Sequence, residues 1–196
     1  MNRTLILGIA AALGGFAAFG SSARAGLLPI NTTVTPNAGS FRWTYAIVLP
    51  TDVQIRSGDY FTIYDFAGYV PGSESGPADW NFSTSSTGTT PAGVLPVDNP
   101  ALPNLTWTYS GPTTVGQSGL GNFWAISPYG NGTEASFTAL SHNPVFGTKD
   151  ANVTTTTVPV QVPVPPGVPE PATLALAGLG LPLVALFRRR KFGKAV

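Results

Sequence analysis

Phe41-Arg42-Trp43-Thr44-Tyr45-Ala46-Ile47-Val48-Leu49 places a large apolar side chain at every second position and stops at Pro50. A two-residue period puts Phe41, Trp43, Tyr45, Ile47 and Leu49 on one face of an extended strand, with Arg42, Thr44, Ala46 and Val48 on the other. Further along the chain the same grammar recurs. After the turn signal Ser57-Gly58, residues Asp59 to Phe66 set Tyr60, Thr62, Tyr64 and Phe66 opposite Phe61, Ile63 and Asp65. Asn104 to Ser110 alternates Leu105, Trp107 and Tyr109 with Thr106, Thr108 and Ser110, and Gly111-Pro112 closes it.

Shorter signals fill in the rest. Val53 to Arg56 reads as a brief extra strand, and the β-branched run Val153 to Val158 as the last one. Asn122–Ser127 and Glu134–Leu140 flank Pro128-Tyr129-Gly130-Asn131-Gly132, whose Asn-Gly step predicts a hairpin. Pro71 to Pro103 is rich in Gly, Ser, Thr and Pro and reads as a long surface connection, pinned to the body by Trp80 and Phe82. No segment between the two ends shows a helix-length 3.6-residue period with caps. The expected fold class is mainly β, an antiparallel β-sandwich or jelly roll in preference to a barrel.

Both ends of the chain have a different composition. Arg3 precedes an apolar, Gly/Ala-rich run from Leu5 to Gly20, followed by Ser21 and Ser22. Ala23-Arg24-Ala25 then offers small side chains at the two positions a signal peptidase inspects, making Gly26 the expected new N-terminus. At the far end, Val168-Pro169-Glu170-Pro171 leads into an apolar run from Ala172 to Phe187, broken by Thr173, and then into Arg188, Arg189, Arg190 and Lys191. Such a run is about 24 Å long as a helix, against a bilayer core of about 30 Å. It is a marginal transmembrane helix, kinked at Pro182. The basic cluster keeps its end of the helix on the cytoplasmic side and leaves the preceding residues outside.

This tail resembles the PEP-CTERM sorting signal of Gram-negative bacteria, in which a Pro-Glu-Pro motif, a short hydrophobic helix and a basic cluster follow in that order. The resemblance covers Val168 to Lys194. It implies an exosortase substrate, cut near Pro169, Glu170 and Pro171 by an exosortase-type envelope protease, in organisms that make extracellular polysaccharide. The segments FRWTYAIVLP, DYFTIYDFAGYVPGS and NLTWTYSG also look like a body shared by exported PEP-CTERM proteins of unassigned activity. The expected organisation is a signal peptide at 1–25, an exported β-domain at 26–158, a Pro-rich stalk at 159–168 and the sorting signal at 169–194. Export machinery, signal peptidase and an exosortase-type protease are the expected processing partners. An inner-membrane-anchored precursor, held by its C-terminal helix, would then pass to the cell surface or outside.

Composition bounds what the exported part does. Its basic residues are Arg42, Arg56 and Lys149, against Asp52, Asp59, Asp65, Glu74, Asp79, Asp98, Glu134 and Asp150. The whole-chain net charge of +1 is therefore set by the ends, and an acidic domain argues against nucleic acid. With no cysteine, packing must hold the domain without disulfides.

Candidate chemistry is sparse. His142, before Asn143 and Pro144, is the one histidine, with no second imidazole or thiol to complete a metal site. Asp59 and Asp65 lie on one face of the expected strand but about 20 Å apart, too far for paired carboxylates. No catalytic residue, resident metal or cofactor is expected. Calcium is the alternative, through Asp98-Asn99 or through Asp79 with Asn81. Trp80 and Trp124 are less bound to strand patterns than Trp43 and Trp107, and are candidates for stacking on sugar rings. The expected function is a noncatalytic structural or adhesive protein of the surface or extracellular matrix. A carbohydrate-binding module is the second expectation and an extracellular hydrolase the third.

Overall fold

The computed structural model describes residues 26–163, and in these every regular element is a β-strand. The expected signal segment with Ala23 and Ala25, the motif Pro169-Glu170-Pro171, the apolar run expected to be a helix and the cluster Arg188 to Lys191 lie outside them. Among the described residues no helix is long and apolar enough to cross a membrane.

The stretch Phe41 to Leu49 forms most of β2 (Ser40–Leu49), with Trp43, Tyr45, Ile47 and Leu49 all buried. Its partners are β1 (Leu28–Asn37) and β8 (Ser118–Ser127), giving an antiparallel sheet in the order β1-β2-β8. A two-residue turn, Ala38-Gly39, joins β1 to β2, and both its residues have positive φ, 47° and 83°.

The second sheet holds β3 (Gln54–Ile55), β4 (Tyr60–Ile63), β5 (Trp80–Ser85), β6 (Asn104–Tyr109), β7 (Thr114–Val115), β9 (Gly132–His142) and β10 (Lys149–Pro159). The order is β5-β6-β4-β9-β3-β7, with β10 along the free side of β9, and every pair is antiparallel. One core joins the two sheets: Trp43, Tyr45, Phe123 and Ala125 from the first meet Phe61, Leu105, Trp107 and Phe137 from the second. Phe61 is at its centre, with ring centroids 5.4 Å from Trp107, 4.8 Å from Phe123 and 5.5 Å from Phe137.

Three local expectations are corrected. Asn131-Gly132 does not close a hairpin between β8 and β9, because β8 pairs with β2 and β9 with β4 and β10. The chain instead crosses between sheets there, held by Trp43 Nε1 donating to Tyr129 O at 2.9 Å. The strand expected from Asp59 to Phe66 ends at Ile63, where Asn104 Oδ1 accepts from Asp65 N and Asp65 turns to a φ of 60°. Asp59 and Asp65 therefore do not share a strand face. The stretch read as a connection from Pro71 to Pro103 contains β5, paired with β6 from Trp80↔Tyr109 to Ser85↔Asn104.

After β5 the chain folds across the outer face of the larger sheet. Thr62 Oγ1 donates to Thr89 O at 2.8 Å, Tyr64 Oη bonds Thr90 Oγ1 at 2.7 Å, and Val97 N donates to Ser136 Oγ at 2.9 Å. Thr62, Thr106 and Thr138, which point away from the core, are consequently buried, and hydroxyl-to-hydroxyl bonds such as Thr62–Thr106 satisfy them.

Candidate functional site

The outer face of the larger sheet lies under the chain that follows β5, whereas the outer face of the smaller sheet is left uncovered. Register fixes what stands there. Trp43↔Ala125 and Tyr45↔Phe123 point inward, so the alternate pairs Arg42↔Ile126, Thr44↔Trp124 and Ala46↔Asn122 point outward. On β1 the outward residues are Asn31, Thr33 and Thr35, opposite Ala46, Thr44 and Arg42. Arg42, Thr33, Thr35, Asn31 and Asn122 are exposed, and Trp124 is half-buried.

Trp124 is the centre of this face. The Arg42 guanidinium carbon lies 4.8 Å from its ring centroid, a cation–π contact that orients both side chains. Its backbone is fixed from the other side, since Ser75 N donates to Trp124 O and Trp124 N to Ser75 O, each at 2.9 Å. That bridge also protects the free edge of β8. The result is one indole with one guanidinium over its ring, with hydroxyls and amides to either side.

Trp80, the other sugar-stacking candidate, is placed differently. Its ring packs at 5.4 Å from Phe61, 5.2 Å from Tyr109 and 5.0 Å from Phe123. Sequence reasoning missed Arg42, Thr33, Thr35 and Asn122 as companions of Trp124. The signal that could have found them is the register of β2 on β1 and β8, and β8 lies far from the other two strands in the chain.

Titratable groups gather at two other places. His142, the last residue of β9, sets Nδ1 3.0 Å from Asp59 Oδ2, and the same oxygen accepts from Arg56 N at 2.8 Å. Burial pushes the Asp59 carboxyl above its ordinary range, against the opposing pull of these hydrogen bonds. A cavity of about 330 Å³ lies where β10 leaves the fold, lined among others by Asp65, Tyr129, Glu134 and Gln161. Burial and the nearby Asp98 charge push Asp65 up. Both acids there have partners: Asp65 Oδ1 accepts from Asn99 N and Glu134 Oε1 from Thr155 Oγ1, each at 2.8 Å.

For the calcium alternative, the structure brings Asp98 and Asn99 close to Asp65 and Asn104, and Asn104 Nδ2 donates to Asp98 Oδ1 at 2.8 Å. Asp79 gives its backbone carbonyl to Ser110 N and Ser110 Oγ. Among the described residues no three His, Cys, Asp or Glu side chains group as a metal-ligand set.

Comparison with known proteins identifies the tail. Residues 167–191 match the family model of the PEP-CTERM protein-sorting motif. The chain thus carries that motif, which implies an exported protein handled by exosortase-type machinery, with a membrane-anchored precursor that goes on to the surface. No curated protein matches the chain. Among solved structures, the GAE domain of GGA2p from Saccharomyces cerevisiae aligns over 68% of this chain and 98% of that one, at 9% identity and a TM-score of 0.32.

Proposed function

We propose that this chain is a noncatalytic adhesive protein of the cell surface or extracellular matrix, delivered by its sorting tail, which uses the outer face of its smaller sheet to contact extracellular polysaccharide. The two sheets are read as the layers of a β-sandwich. The observation that carries the proposal is the Trp124–Arg42 platform on a sheet face that the chain leaves to solvent while it covers the other. An indole face accepts the C–H face of a sugar ring, and the hydroxyls of Thr33 and Thr44 with the amides of Asn31 and Asn122 match a ring's hydroxyls. The guanidinium adds a bidentate donor for a carboxylate on an acidic sugar. A noncatalytic role is supported by the tying of Asp59, Asp65 and Glu134 into structural hydrogen bonds.

The test is retention of the purified exported protein on polysaccharide prepared from the producing cells. Wild type is expected to be retained and Trp124→Ala to pass through with an unchanged thermal midpoint. Equal retention of both would remove the face from the account.

A further inference from the structure

The start of the exported domain has an acceptor with nothing to accept. Leu27 is fully buried in the core, and Asn152 on β10 donates from Nδ2 to Leu27 O at 3.1 Å. The other end of that amide, Asn152 Oδ1, is buried and lacks a hydrogen-bond partner. Directly against it lies Gly26, itself buried. A Cβ on residue 26 would stand 2.1 Å from Asn152 Oδ1 and 2.8 Å from its Cγ, so only glycine fits without displacing Asn152. As a peptide unit within a longer chain, Gly26 leaves Oδ1 unsatisfied.

We propose that Asn152 forms a socket for the N-terminus created by signal-peptide removal. Hydrolysis of the Ala25–Gly26 peptide bond by water leaves a carboxylate on Ala25 and an α-ammonium on Gly26. An ammonium carries three donors on a rotatable bond, whereas a peptide N–H is a single donor fixed in its plane. The new terminus donates to Asn152 Oδ1, a charge-assisted bond, while Asn152 Nδ2 holds the next carbonyl. Asn152 thereby grips two consecutive residues and ties the beginning of β1 in the first sheet to β10 in the second. Residue 26 is glycine because the socket has no room for a side chain. Processing and folding are coupled: the cut supplies the donor that the folded domain lacks.

This inference rests on the export reading, and its test separates the two. The protein is recovered from outside the cell, its intact mass gives its first residue, and its α-amine is converted to a carbonyl by N-terminal transamination, which spares Lys149. Wild type is expected to begin at Gly26 and to lose about 3–6 °C in thermal midpoint on conversion, the scale set by losing one buried hydrogen bond in a domain of this size. Asn152→Ala is expected to start lower and to be unaffected by conversion. Protein that keeps its leader inside the cell would overturn the export reading. Exported protein that begins elsewhere, or that begins at Gly26 with the same response in both backgrounds, would overturn the socket alone.

Discussion

His142 Nδ1 lies 3.0 Å from Oδ2 of Asp59, a carboxyl that is only 1% exposed. The two residues are distant in sequence, and their pairing joins the end of β9 to the turn before β4. His142→Ala would leave a buried carboxyl oxygen with Arg56 N as its remaining donor. That is expected to cost about 1–3 kcal/mol at pH 7 in urea unfolding. Asp59→Asn combined with His142→Ala should cost less than the two singly, and strict additivity would contradict the pairing.

The same carboxyl gives the domain a pH dependence. Burial raises the folded value of Asp59 above its ordinary 3.8 despite the opposing hydrogen bonds. The folded state then holds the proton more tightly than the unfolded one. The contribution is fully present below the unfolded value and is lost as pH rises through the folded value. Asp59→Asn lacks this loss, so its stability relative to wild type should improve as pH rises above the ordinary carboxylate value and through the folded one. Parallel stability curves for the two proteins would show that Asp59 titrates as it does in the unfolded chain.

Phe61 is fully buried and touches aromatic rings from both sheets, among them Trp107 and Phe123. Phe61→Ala should destabilise by about 3–5 kcal/mol, the range for removing a buried aromatic ring. In a disulfide-free domain that is a large share of the total, which is typically about 5–15 kcal/mol. Phe61→Leu, which refills most of the space, should recover the greater part. Calorimetry on the two variants measures both.

Ala38 is exposed and sits at a φ of 47° in the turn between β1 and β2, followed by Gly39 at 83°. A left-handed conformation costs a residue with a Cβ roughly 1–2 kcal/mol, and two-residue hairpin turns of this kind favour Asn-Gly. Ala38→Asn should raise the urea midpoint with an unchanged slope, worth roughly 1 kcal/mol. A lower midpoint would show that the turn is not of this type.

On the proposed polysaccharide-binding face, Arg42 is expected to distinguish acidic from neutral glycans. Its guanidinium stands over Trp124 at 4.8 Å, so Arg42→Ala removes a carboxylate donor and leaves the indole. Binding to an acidic polysaccharide should weaken by about tenfold, roughly 1.4 kcal/mol, and lose part of its salt dependence, while binding to a neutral one should hold. Equal losses for both would make Arg42 a support for the Trp124 ring and nothing more.

The sequence was most legible where one face of a strand meets the core and the other meets solvent. β2 alternates buried and half-exposed residues along its length, and its period alone fixes it. β4 is buried on both faces, since Phe61 and Ile63 face the core while Thr62 lies under the chain at Thr89, so periodicity could not mark where it ends. β1 carries Pro29 and Pro36 and pairs on one side only, an edge-strand composition with weak local signal. Asn131-Gly132 misled because a turn signal is local, whereas the partners of β8 and β9 are chosen by burial across the whole chain. The Trp124 face was legible only as one tryptophan, because its companions come from three strands brought together by register. The sorting motif, in contrast, is contiguous in sequence and could be read outright.

The most direct test of the central claim, an exported domain delivered by a processed tail, is intact mass and cell fractionation of the native protein with and without Glu170→Ala. The account predicts that the wild type ends near Pro169 and leaves the inner membrane, while the variant stays full-length in it. If both proteins keep every residue through Val196 and remain in the membrane, the tail is a permanent anchor and the account of delivery is wrong.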